Sequence, residues 1–274
     1  MLWDHYIFRR GRDVHELWDQ MFDSRPVRLL YIAGRGFDVR AQNVMHEFVS
    51  SMRASGRRVE NAQLLLVGFS GYTLDDEIRQ LTDENAAALQ SIFASLGGSQ
   101  TITIGGASGG EDDLSAGTAL RLGTSQVLAE VTDQTDIVLD VSSLPRVAYL
   151  SLLTSLLNKL VPNKSAGGEI SPLTANGVNF QVLVGEDAAL DGHIQAEDPG
   201  NDLVVIPGFS GALHAESVQD WPLVWFPILG EGRVSQLQKV MASAVIPNSA
   251  EICPVLPHPS RNPRRADNLL VEYK

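Results

Sequence analysis

The chain has a single cysteine, Cys253, in 274 residues. One thiol excludes an internal disulfide and suits a reducing compartment. Its setting in the apolar run "ICPVL" predicts a buried structural thiol rather than a nucleophile. Positive charge is also scarce: 21 lysines and arginines stand against 33 acids, for a formal net charge of −12. Affinity for a phosphate backbone is built from lysine and arginine, so this balance argues against DNA or RNA as the main partner. The basic tracts at 9–12, 57–58 and 261–265 are scattered and read as solvated surface. No apolar run approaches the roughly 18 residues of a membrane helix. The first 22 residues carry acids and arginines throughout, without the apolar core of a signal peptide. The expectation is a cytoplasmic protein with no membrane partner.

Several familiar motifs are missing too. No Gly-x-x-x-x-Gly-Lys-Ser/Thr occurs, which removes a Walker-type ATPase. His5, His15, His46, His193, His214 and His258 are isolated from one another, so no pair has metal-ligand spacing and no metal site is expected from them.

What the chain does have is alternation. Short branched-aliphatic runs ended by Gly, Pro or polar residues predict strands at 28–33, 63–67, 136–141, 180–184, 203–206, 223–226 and 251–256, with a weaker one at 101–104. Helical spacing falls between them, at 42–55, 74–95, 115–131, 146–160 and 234–245. Several strand runs are apolar without alternation, as expected for strands covered on both faces. The fold class is therefore α/β, a mainly parallel sheet with helices on both faces, Rossmann-like. Residues 1–27 read as an N-terminal helical segment, with Trp18 and Phe22 on one side of a short amphipathic helix. Residues 28–274 read as the α/β domain. Gly-rich or polar insert loops at 105–117 and 162–177 interrupt it, and the second offers a division into two subdomains. The end, "RADNLLVEYK", starts an amphipathic helix and stops without a cap, as a natural domain can end and as a fragment of a longer protein with a further C-terminal domain would.

In an open parallel sheet, ligands bind beyond the carboxyl ends of the strands, where loops and helix amino termini supply free N–H groups. Four strand ends here carry an acid beside an arginine. "GRGFDVR" gives Gly34, Arg35, Gly36, Asp38 and Arg40. "LDVSSLPR" gives Asp140, Ser142, Ser143 and Arg146. "FPILGEGR" gives Glu231 and Arg233, and "PSRNPRRAD" gives Arg264, Arg265 and Asp267. If the strands are parallel neighbours, all four stations share one edge. Arginines and backbone amides hold phosphate or carboxylate, while aspartates take a ribose hydroxyl, a magnesium ion or a proton. The chemistry suggested is a nucleotide or other phosphorylated small molecule, with Mg2+ as its companion ion. Asp38, Asp140 and Ser142 are the candidates for catalysis, and Gly34, Arg35, Gly36, Arg40, Ser143, Arg146, Glu231, Arg233 and Arg264 are the candidates for binding. The structural alternative is that Arg–Asp pairs pin loops, the glycines only turn the chain, and "SSLPR" caps a helix.

The dinucleotide fingerprint fits poorly: Val39 stands where its third glycine belongs, and the second strand ends in Gly68 rather than an acid. "VGFSGY" and "PGFSGA" approach a nucleophile elbow but put Tyr72 and Ala212 in place of its last glycine. The stretch "LLYIAGRGFD" resembles the first strand and Gly-x-Gly-Phe-Asp loop of the AbiH family of phage abortive-infection proteins. More distantly, it resembles the first Gly-rich loop of sirtuin-like and other Rossmann-like nucleotide-binding defence proteins. The resemblance spans about ten residues. It implies a bacterial antiviral-defence or stress role and puts Gly34, Gly36 and Asp38 at a nucleotide or effector site. Arg35 departs from the small polar residue usual there. Three functions follow: a nucleotide-binding or nucleotide-processing protein; a non-catalytic scaffold or sensor in a protein complex; and a serine hydrolase using Ser70, Ser142 or Ser210.

Overall fold

The computed structural model of the chain describes residues 6–22, 25–54, 57–70, 74–105, 116–161, 178–187, 224–230, 232, 234–243, 249–256 and 264–273. The chain forms two compact units. One comprises Met1–Ile194 with Ile206–Gly208, the other Gln195–Val205 with Phe209–Lys274. The expected strand at 203–206, the subdomain division at 162–177 and most of the loop at 105–117 lie outside the described residues.

In the first unit, helix α1 (Arg12–Phe22) precedes an alternation of strand and helix: β1 (Val27–Gly34), α2 (Arg40–Ala54), β2 (Val59–Phe69), α3 (Asp76–Phe93), β3 (Gly98–Ile104), α4 (Ala116–Ala129), β4 (Asp136–Asp140), α5 (Arg146–Leu160) and β5 (Asn179–Leu183). The five strands form one sheet in the order β3-β2-β1-β4-β5, every pairing parallel. This is the Rossmann-like α/β architecture expected from the unalternated apolar runs. Alternate residues of β1 show why those runs lack polar positions. Leu29, Tyr31 and Ala33 pack with α1, α2 and α3 on one face. Leu30 and Ile32 pack with α4 and α5 on the other. Because the first two crossovers cover one face and the next two the opposite face, the strand order reverses between β1 and β4. In doubly wound sheets, that reversal opens a crevice at the carboxyl ends of the strands.

Helix α1 is held through its apolar stripe. Trp18 and Phe22 are buried against Phe48 of α2, with edge-to-face ring contacts, and the Trp18 indole N–H donates to Gln181 Oε1 at 2.9 Å. The opposite edge of the sheet from the crevice is fastened by a half-buried ion pair. Arg25, just before β1, donates twice to Asp136 at the start of β4, at 2.6 and 2.8 Å. Thr135 Oγ1 (2.6 Å) and Asn179 Nδ2 (3.1 Å) complete that carboxylate's partners.

In the second unit, β6 (Val224–Trp225) and β7 (Glu251–Ile252) pair parallel around α6 (Val234–Ser243), and α7 (Arg265–Glu272) follows. An isolated bridge, Ile228 with Val255, extends the pairing. Tyr273 closes the unit, its hydroxyl donating to Gly230 O at 2.6 Å. Among the described residues these two strands form their own sheet. The expectation of four stations along one sheet edge is therefore corrected: two stations follow strands of the five-stranded sheet, and two follow β6 and β7. Cys253 is also corrected. It is partly exposed beside exposed Glu251 and Ile252, because the two-residue strand β7 lacks the layers that would bury its thiol.

Candidate functional site

The loop after β1 and the loop after β4 meet at the point of strand reversal, and each predicted residue there has a definable task. Gly34 and Gly36 are there because the other loop passes too close for a side chain. A Cβ on Gly34 would lie 2.5 Å from Ser143 O and 2.8 Å from Leu144 N, and the same carbonyl oxygen would lie closer still to one on Gly36. Neither glycine needs a positive φ, since Gly11, Gly105 and Gly232 alone among the described glycines have one. The Ser143 hydroxyl fastens the contact by donating to Gly34 O at 2.8 Å. So the glycines admit a neighbouring backbone, and the crevice floor is closed by protein.

The acids and arginines of the first loop are engaged with each other or with α3. Asp38 accepts the Arg40 amide at 3.0 Å and the Arg40 Nε–H at 2.9 Å, with a further contact from Nη2. Asp38 thereby satisfies the start of α2, which has no acid in its first turn. Arg35 pairs with Asp83 of α3. Asn85, also on α3 and buried, donates to Gly36 O at 2.6 Å and to Asp38 O at 3.3 Å, and accepts from Gln42 Nε2 at 2.7 Å. Phe37 and Val39 project from the same loop with 52% and 50% of their surface exposed.

Asp140 ends β4, fully buried. Its Oδ2 accepts the Tyr31 hydroxyl at 2.8 Å, and its Oδ1 accepts the Ser142 amide at 3.0 Å. Burial pushes the carboxyl up from the ordinary aspartate value; hydrogen bonds from Ser142 and Tyr31 oppose that shift, and the negative charge of Asp38 adds to it. Tyr31 is likewise raised well above the usual phenol value, first by burial and then by Asp140. Ser142 Oγ accepts the Gly185 amide at 2.7 Å, tying the end of β5 to this loop. Neither serine caps α5. Pro145 occupies the N-cap with no side-chain hydrogen bond, the first turn contains no acid, and Arg146 opens the helix exposed, with no partner among the described residues.

The structure therefore brings Gly34, Arg35, Gly36, Asp38, Arg40, Asp140, Ser142, Ser143 and Arg146 together at one edge. Arg264 and Arg265 belong to the second unit, where Arg264 is the N-cap of α7, and Glu231 and Arg233 lie outside the described residues. Sequence reading missed Tyr31, Asn85 and Gly185. Asn85 had a signal: it interrupts the buried stripe Thr82, Asn85, Ala86, Leu89 and Phe93 of α3 with an amide. Tyr31 gave none, since an aromatic in a buried strand is ordinary.

With Asp38 held by Arg40 and Asp140 buried under Tyr31 and Ser142, neither carboxylate offers an open ligand position for Mg2+. Among the described residues no three His, Cys, Asp or Glu side chains converge as a metal group. Nor is any helix long and apolar enough to cross a membrane. No protein-family model, curated protein or solved structure matches the chain.

Proposed function

We propose that the protein binds a phosphorylated small molecule of the nucleotide class at the carboxyl edge of the five-stranded sheet, where β1 and β4 diverge. The start of α5 carries this reading. A helix amino terminus bears partial positive charge and unpaired N–H groups, and a cation placed there is unfavourable. Yet α5 begins with Arg146, without a capping side chain and without a first-turn acid. An anion would relieve all three conditions at once. The contrast with α2 sharpens the point, because Asp38 already supplies that helix with its anion. The likeness of the Gly-x-Gly-Phe-Asp loop to AbiH-type proteins is the ground for reading the role as one in bacterial antiviral defence or stress.

The test is thermal shift of the purified protein with ATP, GTP, NAD and inorganic phosphate, with and without Mg2+. A ligand that binds only the folded state raises the midpoint. Stabilisation by nucleotide in wild type, lost in Arg146→Glu, supports the reading; no stabilisation by any of them contradicts it. One observation favours a second reading, a scaffold in a protein complex. The exposed pair Phe37 and Val39 flanks a loop whose polar groups are already satisfied internally. On that reading Phe37→Ala disrupts the complex while nucleotides leave the midpoint unmoved. The hydrolase reading gains little at Ser142, whose Oγ is held by Gly185 with no histidine bonded to it among the described residues.

A further inference from the structure

The three helices on one face of the five-stranded sheet all begin at its carboxyl edge. α2 follows the end of β1, and α3 follows the end of β2. α1 runs alongside α2 in the same direction, because His15 meets Glu47 at 3.5 Å and Asp19, further on, pairs with Arg57 beyond the end of α2. The segment that leads into α1 therefore lies at the same edge as the β1–α2 loop and the first turns of α3. Its surface there is apolar. Tyr6, Ile7 and Phe8 are each more than half exposed, and Phe37 and Val39 project from the β1–α2 loop. Asn85 clamps that loop to α3 through Gly36 O and Asp38 O, and exposed Leu81 lies one turn before Asn85 on the same side of the helix. Large apolar side chains from three elements thus share one exposed edge, unlike the single scattered residues ordinary on a surface.

The charges around this edge are sorted by sign. On the α1 side stand Arg9, Arg10 and Arg12, all exposed; among the described residues none of them forms an ion pair, and Arg9 bonds only the neighbouring Phe8 carbonyl. By contrast, Arg25, Arg35, Arg40, Arg57 and Arg79 are each paired with an acid. On the α3 side stand exposed Asp75, Asp76 and Glu77, with Arg79 offsetting Asp76. α1 packs on α2 and α2 on α3, so the basic and acidic groups flank the apolar residues on opposite sides. A patch that is apolar at its centre, basic on one side and acidic on the other is complementary to itself after a two-fold rotation. A lipid surface or a nucleic acid carries charge of one sign and would repel the α3 acids. We infer that two copies of the chain pair through the carboxyl edge of the α1–α2–α3 layer, the arginines of each copy lying on the α3 acids of the other. The pairing gives the scaffold reading its partner and does not depend on nucleotide binding.

Sedimentation velocity of the full chain over a range of concentrations, at low and high salt, tests the pairing with two charge reversals. One is Arg9→Glu with Arg10→Glu, the other Asp76→Lys with Glu77→Lys. All four side chains are exposed, where substitution costs the fold little. The expected result is a wild-type dimer that loosens as salt screens its rim contacts. Either reversal should weaken it by at least about tenfold, since the two-fold counts each change twice. Mixing the two reversed variants should restore pairing, because every rim contact of the mixed pair again joins opposite charges. Phe8→Ser with Phe37→Ser should weaken pairing while leaving its salt dependence unchanged. A wild type that sediments as a monomer throughout, a dimer indifferent to both reversals, or reversed variants that fail to pair when mixed would overturn the inference.

Discussion

Gly34 and Gly36 invite a ligand interpretation, but their neighbours are the Ser143 and Leu144 backbone. Gly34→Ala should therefore destabilise by roughly 1–3 kcal/mol through overpacking. In urea denaturation this would appear as a lower midpoint with unchanged slope, and an unchanged midpoint would show that the two loops are not in contact. At Asp140 the folded state holds its proton more tightly than the unfolded chain. Its contribution to stability is therefore full below the unfolded value and is lost as pH rises through the raised folded value. Asp140→Asn removes that dependence. The stability of the variant relative to wild type should increase across this window, by up to about 1.4 kcal/mol per pH unit. Denaturation curves at a series of pH values check this, and parallel profiles would contradict it.

Among the elements, β4 buries a carboxylate at each end, one paired with an arginine and one with neutral donors only. Asp136 is fully buried, so removing its charge partner strands a carboxylate. Arg25→Ala should destabilise by about 1–3 kcal/mol, less than a fully buried pair would cost, because Arg25 is partly exposed and Thr135 and Asn179 still donate to Asp136, whereas replacing both residues with apolar ones should recover much of the loss. A double-mutant cycle read by thermal melting measures the coupling. Helix α5 carries the opposite expectation. Arg146→Glu puts an acid where the dipole wants one, so the ligand-free protein should gain about 0.3–1 kcal/mol even as nucleotide stabilisation disappears. A variant that loses stability together with the ligand effect would instead mark Arg146 as part of the architecture.

Across the whole molecule, both apolar clusters around the five-stranded sheet are drawn almost wholly from residues before 181. A fragment ending at Asp187 should therefore melt cooperatively and give dispersed amide resonances; a broad, non-cooperative transition would contradict an independent first unit. The sheet was legible in the sequence because its strands are covered on both faces and so lost their polar alternation. The helix at 146–160 was legible to the residue because Pro145 forces its start. The pairing of β6 with β7 was not, since two-residue strands leave no periodicity to read. At the site, sequence adjacency gave the Asp38–Arg40 pair, and reading the strands as parallel neighbours put the loops after β1 and β4 on one edge. It could not reveal that Arg35 turns to Asp83, that Asn85 clamps the loop from α3, or that Tyr31 covers Asp140. Those partners lie 48, 49 and 109 positions apart along the chain.

The central claim is that an anion binds where α5 begins. Following backbone amide resonances of the isotope-labelled protein as ATP is added tests it most directly. The account predicts saturable shifts concentrated at Arg146, Val147 and Ala148, with smaller ones at Ser142, Ser143 and Arg40, and none of them in Arg146→Glu. Shifts absent throughout, or confined to the second unit around α6 and α7, would contradict it.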